Sequence, residues 1–312
     1  MAFGFASTTD DVLSGHDLRG VRAVVTGAST GLGEETTRAL AAHGAHVVMA
    51  VRDPARGALA ADRIRVECPD ASLEIRQLDL GSLASVREFA GGFLADHAQL
   101  DLLINNAGVM ACPYGTTTDG FELQFGTNHL GHFLLANLLV PALIAGAPAR
   151  VVSLSSRGHA FSDIDLADPG FQRTEYGEFI AYGRAKTANA LFAVGFDRRY
   201  ADQGVHAYSV HPGGIHTELG RHMTPAVIAQ LTGRLSESGR SFAWKTIPQG
   251  AATSVWAATA PELDQHGGAY LEDCSLAEVS NDESSNSGVR PYAVDPRNAD
   301  ALWEYSVTAV DL

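Results

Sequence analysis

Three shortages narrow the reading before any motif is considered. Cysteine is scarce: Cys68, Cys112 and Cys274 are the only three, far apart and at no zinc-binding spacing. An odd count excludes a fully paired disulfide framework and suits reduced thiols in a cytoplasmic protein. Basic charge is short as well, with 22 Lys and Arg against 36 Asp and Glu and a formal net charge of −14. A surface that acidic keeps a chain dissolved and argues against a polyanion such as nucleic acid as partner. Long hydrophobic runs are missing too. Crossing a bilayer takes roughly 18 to 20 apolar residues, and the longest candidate, His132 to Ala149, is interrupted by Asn137 and two prolines. The start of the chain carries Asp10, Asp11 and Asp17 where a secretory signal has basic residues. No membrane anchor is expected.

What remains is a globular composition, 46% apolar and 19% charged over 312 residues, able to bury a large core. The first half alternates regularly. Apolar runs at Val21–Thr26, His46–Val51, Leu73–Leu78, Leu100–Ile104 and Arg150–Leu154 read as buried strands. Between them Leu32–His43, Pro54–Val66 and Ser82–His97 have helical spacing, with Ser82 as an N-cap. A long apolar helix is expected over Asp119–Ile144. The second half continues with helix Phe179–Tyr200, strand Val205–Val210 and a helix near Gln249–Ala258. Strand–helix alternation at this spacing gives right-handed crossovers and an α/β fold, a doubly wound parallel sheet covered on both faces. No linker or repeat divides the chain, so one domain is expected, with its core over about 18–275. Two stretches break the rhythm, Arg157–Glu178 and Thr217–Ile247, and loops this long are usually functional. The second, about 217–247, is expected to be a substrate lid. The extension 281–312 starts polar and ends apolar around Trp303, which suits a tail packed back on the body.

Directly after the first strand stands Thr26-Gly27-Ala28-Ser29-Thr30-Gly31-Leu32-Gly33. Such glycines allow a tight turn and close approach of backbone to a pyrophosphate, and the following helix offers its free amides to the phosphates. The bland alternative is a glycine-rich turn without a ligand. The end of the second strand then discriminates between cofactors. An acid there would select a free ribose 2′-hydroxyl and an arginine a 2′-phosphate; this chain has Val51 and then Arg52. NADP(H) is favoured and NAD(H) remains possible, because Asp53 follows. Asp53 precedes Pro54 and is expected to cap the next helix.

Tyr182 and Lys186 stand four apart in a helical stretch and therefore share a face. A cation beside a phenol favours the phenolate and would draw its pKa from about 10 toward working pH. Y-x-x-x-K also occurs by chance, but other polar residues accompany it. Ser155-Ser156 ends the fifth strand, Asn105-Asn106-Ala107-Gly108 the fourth, and His211-Pro212-Gly213 the sixth, all at the carboxyl edge where such sheets bind ligands. Asn128 lies inside the apolar helix, where an amide either bonds in the core or marks a distortion.

In this order, TGASTGLG, NNAG, Asn128, Ser155-Ser156, YGRAK and HPGGIHT resemble the short-chain dehydrogenase/reductase family over roughly residues 20 to 275. Phe121–Asn137, Gly267–Cys274 and Val289–Tyr305 resemble its retinol dehydrogenase-like branch. The resemblance implies a Rossmann-like fold and a hydride exchange between a nicotinamide cofactor and an alcohol or ketone. It implies Tyr182 as acid/base, Lys186 as the residue that lowers its pKa and holds the nicotinamide ribose, Ser156 as the polariser of the carbonyl, and Asn128 as the holder of a relay water. Gly27, Ser29, Thr30, Gly31, Leu32 and Gly33 would take the pyrophosphate, with Arg52 at the ribose. Asp79 and Leu80 would lie at the adenine, and Asn106, Ala107 and Gly108 near the ribose. Pro212, Gly213, Ile215 and Thr217 would hold the carboxamide. Homodimers or homotetramers are implied by the same analogy. The segment between Ser156 and Tyr182 is longer than in compact members and contains Tyr176, which has no lysine four residues on.

A catalytically silent NADP(H)-sensing regulator would share the fold, but should have lost Tyr182 or Lys186. An epimerase of the extended relatives would need a larger C-terminal domain. His129, His132, His159, His211, His216 and His222 have no metal-ligand spacing, and no cluster of histidine with carboxylate is visible, so no metal is expected. Leu219, Met223, Ile228, Leu231, Leu235, Phe242 and Trp244 would give a lid enough apolar surface for a hydrophobic alcohol or ketone. A steroid, a retinoid-like molecule or an aryl ketone is the expected substrate class.

Overall fold

The structure, a computed structural model, describes residues 3–222, 243–282 and 285–312. After a short helix α1 (Thr9–Leu13), strands and helices alternate: β1 (Arg22–Thr26), α2 (Gly31–Ala42), β2 (His46–Val51), α3 (Pro54–Glu67), β3 (Ser72–Gln77), α4 (Leu83–Asp96) and β4 (Leu102–Asn105). The expected boundaries hold to within one or two residues. The helix expected over Asp119–Ile144 begins later and is not continuous. It consists of α5 (Leu123–Phe125), a π-helical turn Gly126–Leu130, α6 (Gly131–Leu138) and α7 (Val140–Ala145), the last with proline in its first turn. Asn128 sits in the π turn, the distortion its polarity allowed for. Then follow β5 (Ala149–Leu154), α8 (Glu178–Tyr200), β6 (Val205–His211), the small pair β7 (Gly214–Ile215) and β8 (Trp244–Lys245), α9 (Ile247–Thr259), β9 (Tyr270–Glu272), β10 (Ser275–Leu276) and α10 (Pro296–Val310).

The main sheet runs β10-β9-β6-β5-β4-β1-β2-β3, parallel except for the antiparallel edge strand β10. This is a Rossmann-like doubly wound sheet in a single domain. Chain order reverses between β1 and β4, and the crevice above that point is where such sheets take ligands. Strands buried on both faces have apolar centres: Ala23, Val24, Val25, Val47, Val48 and Met49 are all inaccessible.

The tail packs back as its composition suggested. Trp303 on α10 lies edge-on to Phe133, with centroids 4.8 Å apart, and under the Arg199 guanidinium at 4.1 Å. Most of the lid segment falls outside the described residues, including Met223, Ile228, Leu231, Leu235 and Phe242. Among the described residues no helix is long and apolar enough to cross a membrane.

Candidate active site

The phosphate end is built from the β1–α2 turn. α2 starts at Gly31, and its N-cap Thr30 makes no side-chain bond to the first-turn amides. By contrast Asp53, Ser82 and Thr246 cap α3, α4 and α9 with their side chains. The open amides of α2 are a ready anion site. Gly27 has φ +67°, and a Cβ on Gly33 would lie 2.3 Å from the Gly27 carbonyl and 2.5 Å from Asn106 Nδ2, so neither position admits a larger residue without rearrangement. Across the turn, a Cβ on Gly31 would meet Thr217 Cγ2 at 3.4 Å, which places the segment after β6 over the phosphate loop. At the tip of β2, Val51 is buried and Arg52 is exposed on the cavity wall. Asp53, also on that wall, caps α3 as expected: its Oδ1 accepts the Ala55 and Arg56 amides at 2.9 and 3.3 Å. Asp79 Oδ1 accepts from the Gly81 amide at 2.9 Å.

At the other end, Tyr182 and Lys186 project from one face of α8 and are each only 4% exposed. Burial pushes the phenol up to about 12, against a smaller opposing pull from hydrogen bonding to Ser156. Burial also lowers the ammonium to about 8. The expected lowering of the phenol by the lysine is therefore not what this geometry gives. Lys186 Nζ lies 5.5 Å from the ring centroid and donates to the Leu154 carbonyl at 2.8 Å, so desolvation dominates at both groups. Ser156 caps a 3-10 turn, its Oγ accepting the Gly158 amide at 3.0 Å.

Every residue expected to be catalytic or to bind cofactor lines one cavity of about 1780 Å³, except Asn128, which stands behind its wall. The Asn128 carboxamide clamps Val109, accepting its amide at 2.8 Å and donating to its carbonyl at 2.9 Å. Gly108 keeps that corner open: a Cβ there would be 3.1 Å from Asn128 Oδ1 and 3.8 Å from Lys186 Nζ. Behind it lies His132, buried and hydrogen-bonded at both ring nitrogens. Its Nδ1 faces the Asn128 carbonyl at 2.9 Å, so this nitrogen carries the proton, and Nε2 accepts from Thr26 Oγ1 at 2.8 Å. Thr26 Oγ1 in turn accepts the Asn106 and Ala107 amides, both at 2.9 Å.

Three features escaped sequence reasoning. The tail reaches the site: Asn281, Ser285, Asn286, Arg290 and Tyr292 line the cavity. His159 ties it there, its Nδ1 donating to the Ser156 carbonyl at 2.7 Å and its Nε2 accepting the Arg290 amide at 3.1 Å. Tyr176, silent in the motif, anchors the opposite wall by donating to the Cys112 carbonyl and accepting from Gln124 Nε2, each at 2.9 Å. Last, a histidine–carboxylate cluster does exist, contrary to expectation: His46, Glu74 and His97 converge at the amino end of β2 and β3. It joins two strands and the end of α4, so no sequence spacing reveals it. Arg76 already pairs with the Glu74 carboxylate there.

A family model described as short chain dehydrogenase matches residues 22–227. The chain belongs to the short-chain dehydrogenase/reductase family. Within it the chain falls in the retinol dehydrogenase-like branch: human retinol dehydrogenase 12 is 43% identical over 93% of this chain and 86% of its own. A crystal structure of a putative uncharacterized protein from Mycobacterium paratuberculosis superposes with a TM-score of 0.74 at 34% identity, covering 98% of both chains. A gluconate 5-dehydrogenase from Burkholderia cenocepacia J2315, solved in complex with NADP and tartrate, superposes at 0.63 with 25% identity over 82% of this chain and 94% of its own. This short-chain dehydrogenase is accordingly an oxidoreductase acting on CH–OH donors with a nicotinamide cofactor. The uncapped α2 amides, the close-packed glycines and Arg52 fit such a dinucleotide.

Proposed function

We propose that this enzyme interconverts a hydrophobic secondary alcohol and its ketone, with NADP(H) preferred over NAD(H). Gly27, Ser29, Thr30, Gly31, Leu32 and Gly33 would hold the pyrophosphate, Arg52 the 2′-phosphate, and Asp79 and Leu80 the adenine. Asn106, Ala107 and Gly108 would line the ribose, and Pro212, Gly213, Ile215 and Thr217 the nicotinamide. The cofactor, when bound, supplies or accepts the hydride. Ser156 holds the substrate oxygen, and Tyr182 exchanges the proton with it. Lys186, charged below a pH of about 8, keeps positive potential beside the developing alkoxide. Asn128 holds the Val109 backbone and the π turn that borders the lysine.

One observation carries this reading. A buried tyrosine and lysine and the half-buried Ser156 share one cavity with an open helix N-terminus and an arginine at the tip of β2. A phenol held near 12 stays protonated at neutral pH, the form that can pass a proton to a ketone oxygen. Apolar groups near the mouth, among them Phe161, Phe179 and Trp244, suit a lipophilic substrate such as an aryl ketone, steroid or retinoid-like molecule. We further take the enzyme to act in the cytoplasm as a homodimer or homotetramer. The test is the change in absorbance on oxidising NADPH or NADH with a ketone panel, using wild type and Tyr182→Phe. Turnover should fall about 10²-fold or more in the variant while NADPH binding persists. Undiminished turnover in Tyr182→Phe would refute the assignment, and a preference for NADH would refute the role of Arg52.

A further inference from the structure

The charges on the cavity wall are unevenly placed. Its carboxylates, Asp53, Asp79 and Glu218, all lie at the adenosine end: Asp53 and Asp79 follow β2 and β3, and Glu218 pairs with Arg56 of α3 at 2.7 Å. Beside Ser156 the wall carries Arg157, next in the chain, and Arg290 of the tail. Among the described residues neither forms an ion pair with a carboxylate. Among the described residues their guanidinium groups bond to tail carbonyls alone: Arg157 to Ser285 and Gly288 at 2.6 and 3.2 Å, Arg290 to Ser280 at 3.2 Å. The carboxylate behind them, Glu272, accepts the Gly288 amide at 2.6 Å and is not on the wall. Arg290 is 7% exposed, and burial, followed by repulsion from Arg290, lowers the Arg157 pKa against a smaller opposing pull that includes Glu272. Stapling a loop needs donors but not two uncompensated charges, and in a chain of net charge −14 acids are not scarce. An arginine retains two or more free N–H groups after such bonds, in a fork that fits a carboxylate.

We propose that Arg157 and Arg290 form an anion subsite at the substrate end, so that the preferred substrate is a lipophilic ketone or alcohol bearing a carboxylate remote from the reacting carbon. The aromatic mouth takes the apolar body, and the tail completes the cationic corner, held to Ser156 through His159. This narrows the substrate class within the oxidoreductase reading and rests on it for turnover, but not for binding.

The probes are acetophenone, 4-acetylbenzoate and 5-oxo-5-phenylpentanoate, which differ in the presence and reach of a carboxylate. Titration calorimetry on the NADP⁺-loaded protein should give at least one carboxylate about tenfold tighter binding than acetophenone, an advantage that shrinks as salt is raised. In the NADPH assay, the ratio of kcat/KM for that acid to kcat/KM for acetophenone should fall about tenfold in Arg157→Gln and in Arg290→Gln. Should Arg157→Gln lose its fold, Arg157→Lys, which keeps charge without the fork, should lower the ratio in part. Equal binding of neutral and acidic probes, or a ratio unchanged in the folded variants, overturns the subsite. Carboxylate-selective binding without turnover leaves the subsite standing and tells against the ketone reading. Turnover of acetophenone with no acid preference does the reverse.

Discussion

His132 offers the sharpest test of how the site is held together, because every bond it makes is defined. One ring nitrogen donates to the Asn128 carbonyl in the π turn; the other accepts the Thr26 hydroxyl, freeing that oxygen to take the Asn106 and Ala107 amides. The imidazole therefore joins the lysine side of the site to the tip of β4. His132→Phe keeps the ring and removes both bonds. The Asn128 carbonyl loses the imidazole donor, while the Thr26 hydroxyl can turn to the Ile104 carbonyl, now 3.4 Å away. A buried polar group left without its partner costs about 1–3 kcal/mol and a replaced hydrogen bond about 1 kcal/mol. The variant should thus lose about 2–4 kcal/mol of stability by urea denaturation. NADPH affinity, read by fluorescence, should also drop several-fold, because the Thr26 hydroxyl that takes the Asn106 and Ala107 amides loses its imidazole anchor. His132→Gln, whose amide has a donor and an acceptor, should recover part of both. A loss below about 0.5 kcal/mol, the level of an ordinary surface substitution, together with unchanged NADPH affinity, would refute the reasoning.

Other consequences follow from the same geometry. A Cβ on Gly158 would lie 2.6 Å from Tyr182 Cε1, so Gly158→Ala should displace the phenol and cut kcat by about 10²-fold while NADPH binding persists; unchanged kcat in steady-state assays would contradict that packing. His132, His159 and His211 are held neutral at about 4, 4 and 3, each with a ring nitrogen accepting a bond that protonation would destroy. Their unfolded value is 6.5, so stability from them is complete above that pH and falls as pH drops toward 4; urea midpoints flat between pH 7 and about 5 would exclude this. The chain has only two lysines, so the carbon-13 signal of Lys186 can be followed directly, with an expected midpoint near 8. A midpoint near the ordinary 10.5 would mean that the ammonium is not desolvated.

The alternating scaffold was legible because strands covered on both faces have apolar centres, and Gly or Pro punctuates the helices between them. The phosphate loop and the Tyr182–Lys186 pair were legible because each is local, one a turn and one a single helix face. Asn128 announced a distortion by its polarity, but not that the helix would start at Leu123 or break before Val140. Strands β9 and β10, three and two residues long, are too short to show a period. What stayed hidden is contact between distant segments: the tail against Ser156 through His159, and His46 and Glu74 on neighbouring strands facing His97. No spacing rule encodes such pairings, since they depend on strand order and loop path.

Burial acts on the two central groups in opposite senses, and this sets what each can do. It disfavours the charged form of both, so the phenol holds its proton more tightly and the ammonium less tightly than in water. At neutral pH the pair is a protonated phenol beside a protonated amine, the state required to deliver a proton to a carbonyl oxygen. Above a pH of about 8 the amine loses its charge first, and positive potential is withdrawn from the oxygen that must become an alkoxide. Reduction should therefore weaken as pH rises through 8, while oxidation, which needs the phenol to accept a proton, gains from alkalinity. Lys186 Nζ lies 5.5 Å from the Tyr182 ring centroid and neither group causes the other's shift, so the two directions should show separate pH profiles.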